Sequence, residues 1–318
     1  MDQASVIVGC DVGKLWVDAC VVEASGKRTS RLSNGPESLK RWACALPGAC
    51  QVGMESTGPY HLALAKAPIE AGHTVYVINP RWVHAYARST GQRGKTDRSD
   101  AALIARYVQS EAANLHAFEL PSAEQARLRY LLLRRQELVK LRGATRQSFG
   151  EEAGDVITQF NRLLRSVERQ IHQLIQAQAV WREHAQRLRQ IPGVGPMVSA
   201  HLVQVLTRIP FARADAFIAH TGTDPRANDS GQKRGRRRIS HHGDSALRQM
   251  LFMAAMAAIK RPEWRTLYER FRARGLPTTG ALIACARKIA RIAWHMFKNP
   301  EGYDASKVAG PFATGLAS

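Results

Sequence analysis

The chain has 318 residues, 45% of them hydrophobic, which is enough for two cores and too apolar for a disordered chain. Lys and Arg number 46 against 26 Asp and Glu, a formal charge of +20 that fits a polyanionic partner, and nucleic acid better than an anionic membrane. Cys10, Cys20, Cys44, Cys50 and Cys285 form no CxxC pair and suggest neither a zinc site nor a disulfide framework. Met1 to Val8 lacks the basic and apolar regions of a signal peptide, and the longest apolar stretch, Met250 to Ile259, is too short to span a bilayer, so a cytoplasmic protein is expected.

In chain order, Ser5 to Cys10 and Leu15 to Val22 read as strands joined by a turn at Gly13-Lys14. A short strand, Gln51 to Met54, follows a turn at Pro47-Gly48. A helix starts at Ser56-Thr57-Gly58-Pro59, His73 to Ile78 is a strand stopped by Asn79-Pro80, and helices follow over Arg81 to Ala87 and Arg98 to Val108. This order predicts an α/β domain with a mixed sheet, over residues 1–121.

From residue 122 to 190 Gly and Pro nearly vanish. Leu128, Leu131, Leu132, Leu138 and Leu141, then Val156, Phe160, Leu163, Leu164, Val167, Ile171, Leu174 and Ile175, recur at helical intervals. Long amphipathic helices are expected, bent near Gly150 to Gly154, as a coiled-coil arm or a plain bundle. Residues 191–318 form a third region. It opens on Ile191-Pro192-Gly193-Val194-Gly195, a glycine turn between helices. Such a turn can grip a phosphate through its backbone N–H groups or simply need its glycines to turn. A loop from Pro225 to Gly243 carries Lys233, Arg234, Arg236, Arg237 and Arg238, between helices Ala214 to His220 and Ser245 to Ile259. A charge run inside a domain, not on a tail, reads as a phosphate-binding loop. Helices near Glu263 to Arg274 and Thr279 to Phe297 complete the chain.

Four acids carry the chemistry. Asp11 and Glu55 each follow a short apolar run, where α/β folds put functional groups. Asp97 and Asp100 are three apart at a helix start and so share a face. Each alone reads as a cap or turn residue. Together, in a basic chain, they read as oxygen ligands for a hard cation, Mg²⁺ or Mn²⁺, held against a phosphate. Ser230, in Asn228-Asp229-Ser230-Gly231 before the basic run, is either a turn residue or a nucleophile whose attack on a phosphodiester the arginines would stabilise. Ser240 ranks below it.

These segments resemble the DEDD-type insertion-sequence transposases. The resemblance runs through Gly9-Cys10-Asp11-Val12-Gly13-Lys14, Glu55-Ser56-Thr57-Gly58, Val77-Ile78-Asn79-Pro80, Lys95-Thr96-Asp97-Arg98-Ser99-Asp100-Ala101, Ile191-Pro192-Gly193-Val194-Gly195 and Ser230-Gly231. It implies a RuvC-like, RNase H-type N-terminal domain with Asp11, Glu55, Asp97 and Asp100 as metal ligands. It also implies a helical C-terminal transposase domain with a helix-hairpin-helix-like motif, whose Ser230 becomes covalently joined to DNA. The partners it implies are donor and target DNA, a structured guide RNA from the element, and further copies of the chain as dimer to tetramer, in a nucleoid-associated bacterial protein. The family's Gly-Leu-Thr-Pro run before the serine reads here as Gly222-Thr223-Asp224-Pro225.

Three other readings compete. A junction-resolving nuclease would use the acids alone, without a covalent step. An actin-like sugar kinase would share the Gly9 to Lys14 loop, but the chain shows no second such phosphate loop. A non-catalytic scaffold would explain the charge and leave the acids without a role.

Overall fold

The computed structural model describes residues 6–56, 60–91, 97–226, 238–241 and 243–309. The chain divides into two compact units, Met1–Leu120 and Pro121–Ser318. The first holds a mixed sheet, and the second is largely helical.

In the first unit, β1 (Ile7–Val12), β2 (Trp16–Glu23) and β3 (Gly26–Ser33) form an antiparallel meander. The Gly13 N–H donates to the Trp16 carbonyl at 2.9 Å and closes the first turn. Helix α1 (Pro36–Cys44) leads to β4 (Gln51–Glu55), which pairs parallel to β1. Helix α2 (Tyr60–Glu70) then leads to β5 (Thr74–Ile78), parallel to β4. The strand order is β3-β2-β1-β4-β5. Helices α3 (Pro80–Ser89) and α4 (Asp97–Glu111) follow.

Strand β1 is buried on both faces, which is why its sequence is an apolar run and not an alternation. Val8, Cys10, Val12, Val17, Ala19, Val21, Val52 and Met54 share one core with Leu39 of α1 and Leu64 of α2. Tyr76 and Ile78 form the opposite core with Val83 of α3 and Leu103, Ile104 and Val108 of α4, and Ile7 packs against it. Each such side chain taken from water contributes roughly 1.5–3 kcal/mol. The sequence reading did not anticipate β3 or α1. Strand β3 reads Gly-Lys-Arg-Thr-Ser-Arg-Leu-Ser and is exposed along almost its whole length, so it carries no apolar signal.

In the second unit, α5 (Ala123–Phe149) starts at a capping box between Ser122 and Gln125. It doubles back near Gly150 into α6 (Gly154–Ala177). Arg127 reaches Gln170 at 2.8 Å, Arg135 reaches Glu168 at 2.6 Å and Arg142 reaches Asn161 at 2.8 Å, which registers the two helices antiparallel. Leu128, Leu131 and Leu132 are buried as their spacing predicts, but Leu141 is exposed. Then come α7 (Ala179–Leu188), α8 (Pro196–Arg208) and α9 (Ala214–Thr221). A two-stranded ladder, β6 (Pro225–Arg226) with β7 (Arg238–Ile239), precedes α10 (Ser245–Ala258), α11 (Pro262–Ala273) and α12 (Thr278–Lys298). The core of this unit joins α8, α10 and α12 around fully buried Trp264, whose indole N–H donates to the Tyr303 hydroxyl at 2.9 Å. Among the described residues no helix is long and apolar enough to cross a membrane.

Candidate active site

Alternation along β1 sends Ile7, Gly9 and Asp11 to one face and Val8, Cys10 and Val12 to the other. Gly9 identifies the first face. A Cβ there would lie 2.1 Å from the Ala101 carbonyl oxygen of α4. Gly53 of β4 repeats the arrangement, with a Cβ 2.4 Å from a Val108 methyl. The two glycines let α4 lie directly on the sheet, across β1 and β4.

Two residues beyond each glycine stand the acids. The β1–β4 pairing ends at Cys10 with Met54, so Asp11 and Glu55 are the next step of the same register, on the face that α4 covers. Both are part-buried, and each interacts with neighbouring groups. Glu55 is held in strand by its pairing with Ile78, and the Ser56 N–H donates to the Ile78 carbonyl at 3.0 Å. Asp100 is part-buried in the first turn of α4, one position before Ala101. Asp97 opens the same helix, and its side chain lies outside the described residues. The Asp11 charge is felt locally: burial drives the Cys10 thiol pKa far up, and Cys20 and Asp11 add to the effect. Among the described residues no three His, Cys, Asp or Glu side chains already converge as metal ligands. The donors present are all carboxylate oxygens, the set that suits a hard divalent cation.

The same sheet row contains two residues that the sequence reading missed. Asp18 of β2 pairs in register with Asp11, and Arg31 of β3 pairs with Asp18. The Arg31 guanidinium grips the Asp18 carboxylate from two nitrogens, Nε at 3.0 and 3.2 Å and Nη2 at 2.8 Å. Asp18 is buried while Arg31 is half-exposed. A charged residue inside the apolar run Trp-Val-Asp-Ala-Cys-Val-Val was the available signal, because a buried carboxylate needs a partner.

In the second unit, Ser230, Lys233, Arg234, Arg236 and Arg237 lie outside the described residues. Their flanks are described. Arg238 is exposed on β7 and pairs with Arg226 of β6. Below this ladder the Ser240 N–H donates to the Asp224 carbonyl at 3.0 Å, and the Ser240 hydroxyl donates to the Asp224 carboxylate. Ser240 is thereby buried and engaged. Buried Thr221 and Thr223 share a hydroxyl hydrogen bond of 2.7 Å, and Arg287 Nε of α12 donates to the Thr223 carbonyl at 3.0 Å. Burial lowers the Arg287 pKa, and the nearby Asp224 charge offsets part of that. The two ends of the segment carrying the candidate serine are thus tied together.

The glycine turn Ile191 to Gly195 joins α7 to α8 as expected. Gly193 has a positive φ of 84°, and a Cβ on it would lie 2.1 Å from the Ala254 carbonyl of α10. Packing against α10 therefore already requires that glycine. Gly195 opens onto free space just before Pro196, the first residue of α8.

Sequence comparison finds transposases along both parts of the chain. Residues 8–150 match a family described as a transposase of DEDD type, and residues 185–269 match the transposase family IS116/IS110/IS902. The pilin gene-inverting protein of Moraxella lacunata is 28% identical over 95% of this chain and 98% of its own length, and that of Moraxella bovis is 28% identical over the same shares. A probable family 20 transposase of Pseudomonas aeruginosa is 26% identical over 80% of this chain and 86% of its own. The strand-end acids fall within the first match and the glycine turn within the second, so the chain belongs to the IS110 family of transposases, enzymes of DNA recombination.

Proposed function

We propose that the protein is an RNA-guided DNA recombinase with a RuvC-like acidic site in its first unit and a serine nucleophile in its second. The carrying observation is the register of Asp11 and Glu55 at the ends of neighbouring parallel strands, on the face where α4 begins with Asp97 and Asp100. Asp11, Glu55, Asp97 and Asp100 hold Mg²⁺ or Mn²⁺. A bound cation there stabilises negative charge on the phosphoryl oxygens. The carboxylates orient it, and α4, seated on Gly9 and Gly53, fixes the spacing of the two pairs.

The Ser230 hydroxyl attacks a DNA phosphorus. Its oxygen forms the new ester as the bond to the sugar oxygen breaks, and the sugar hydroxyl leaves. Lys233, Arg234, Arg236, Arg237 and Arg238 neutralise the phosphate, and the Gly193–Gly195 turn, as a helix-hairpin-helix-like motif, contacts backbone. The closed neck at Asp224, Ser240 and Arg287 supports this reading, because it holds both ends of the serine segment together. The burial of Ser240 favours Ser230 over it as the nucleophile.

The remaining assignments follow the same reading. Residues 122–190 serve assembly as dimer to tetramer, a guide RNA pairs with donor and target DNA, and the protein works on DNA in the nucleoid. Kinship with pilin gene-inverting proteins makes inversion between two DNA sites a reaction class within reach.

The test uses purified protein, guide RNA, DNA and Mg²⁺. Asp11→Asn and Glu55→Gln are expected to abolish metal-dependent strand cleavage, and Ser230→Ala to abolish a denaturant-resistant protein–DNA adduct. Cleavage that survives in Ser230→Ala identifies a metal-only nuclease instead.

A further inference from the structure

The acid row does not end at Asp11. The strand registers run Arg31–Asp18–Asp11, with Glu55 next, across β3, β2, β1 and β4, all on one face of the sheet. Arg31 is the outermost member. Its guanidinium is clamped by three nitrogen–oxygen contacts of 2.8 to 3.2 Å to a carboxylate whose side chain is 8% exposed, while its own side chain is 49% exposed. A buried carboxylate holding a half-exposed arginine from two nitrogens fixes the cation's direction, and about half of the arginine side chain stays exposed.

Strand β3 is an edge strand, and Lys27 lies on the same side as Arg31 by alternation, four residues before it. Lys27 is exposed. The two cations are therefore about 13 Å apart along an open strand. Arg31 lies about 10 Å from Asp11, two strand spacings away. Arg28, on the opposite side, faces Glu23 at 4.0 Å and is not part of the track.

We infer that Arg31, locked by Asp18, together with Lys27, forms a phosphate-binding track on the edge strand that holds the nucleic-acid backbone flanking the phosphate presented to Asp11 and Glu55. The track rests on the proposed acidic site for its purpose but not for its chemistry, because two cations on an exposed edge bind backbone phosphates with or without a metal. Asp18 is a positioning residue. It touches no phosphate, and it holds the guanidinium that does.

The experiment measures binding of the full chain to a fluorescent single-stranded oligonucleotide in EDTA, across a salt series, with DNA and RNA as separate arms. Arg31→Gln and Lys27→Gln are each expected to weaken binding several-fold and to lower the slope of log K against log salt by about one. Arg31→Lys is expected to restore the slope while recovering only part of the affinity, since an ammonium cannot be gripped from two nitrogens. A loss confined to DNA assigns the track to the cleaved strand, a loss confined to RNA assigns it to the guide, and a loss in both assigns it to shared backbone. An unchanged slope in Lys27→Gln and in a normally melting Arg31→Gln overturns the inference. Cleavage that survives Asp11→Asn, with the slope changes still present, defeats the acidic-site reading and leaves the track standing.

Discussion

Gly9 shows how a single hydrogen atom sets how closely α4 approaches the sheet. With its missing Cβ 2.1 Å from a carbonyl of α4, any side chain must lift the helix that carries Asp97 and Asp100. Gly9→Ala is expected to cost about 3 kcal/mol, the upper end for overpacking, read from the urea midpoint of the full chain. It should lower metal-dependent cleavage even in the folded fraction. His201 of α8 makes a different residue-scale statement. Burial pushes its pKa down to about 4 from an ordinary 6.5, with Asp244 opposing and Arg135 reinforcing that shift. The unfolded chain takes up the proton near pH 6.5 and the folded chain only near pH 4. The stability linked to this group is therefore complete above pH 6.5 and is lost as pH falls toward 4, by on the order of 3 kcal/mol. Urea unfolding at pH 7 and pH 4.5 should show His201→Gln to be less acid-sensitive than the parent chain.

At the scale of elements, helix ends do positional work. Asp244 caps α10 by accepting from the N–H groups of Ala246 at 2.8 Å and Leu247 at 3.1 Å, and its own N–H donates to the His220 carbonyl at 2.8 Å. The cap thus ties α9, the loop neck and α10 together. Asp244→Ala is expected to cost about 1 kcal/mol of stability, and Asp244→Asn a fraction of that, by denaturant titration. Strand β3 is the opposite case. It contributes few apolar contacts, and an exposed edge is a template for unwanted pairing that charged side chains blunt. Lys27, Arg28 and Arg31 serve that purpose whatever else they bind.

For the whole molecule the dominant quantity is the charge of +20. Counterion release makes binding to nucleic acid steeply salt-dependent, and a protein engaging roughly 6–10 phosphates loses about 10³–10⁵ in affinity between about 50 and 200 mM salt. Anisotropy titrations of the parent chain across that range are expected to show such a slope. A flat response would mean that the charge serves solubility alone. The division at Leu120 and Pro121 assigns Asp11, Glu55, Asp97 and Asp100 to one compact unit and the stretch with Ser230 to the other.

The sequence by itself determined that the partner is DNA, the apolar strands β1, β4 and β5, the long helices, and the standing of Asp11 and Glu55 near strand ends. Each of these is written in local terms: charge, runs, periodicity and residues at strand ends. Only the tertiary structure decided the rest. Strand β3 stayed hidden because an edge strand needs no apolar face. The Asp18–Arg31 pair stayed hidden because its partners are separated by a turn and meet only through strand register. Gly9 and Gly193 read as motif glycines and Gly53 as part of a short strand, yet each is required where a helix lies against its backbone. Ser240 looked like a spare hydroxyl until Asp224 was found beside it. Contacts between distant segments follow from register and packing, which no local pattern encodes.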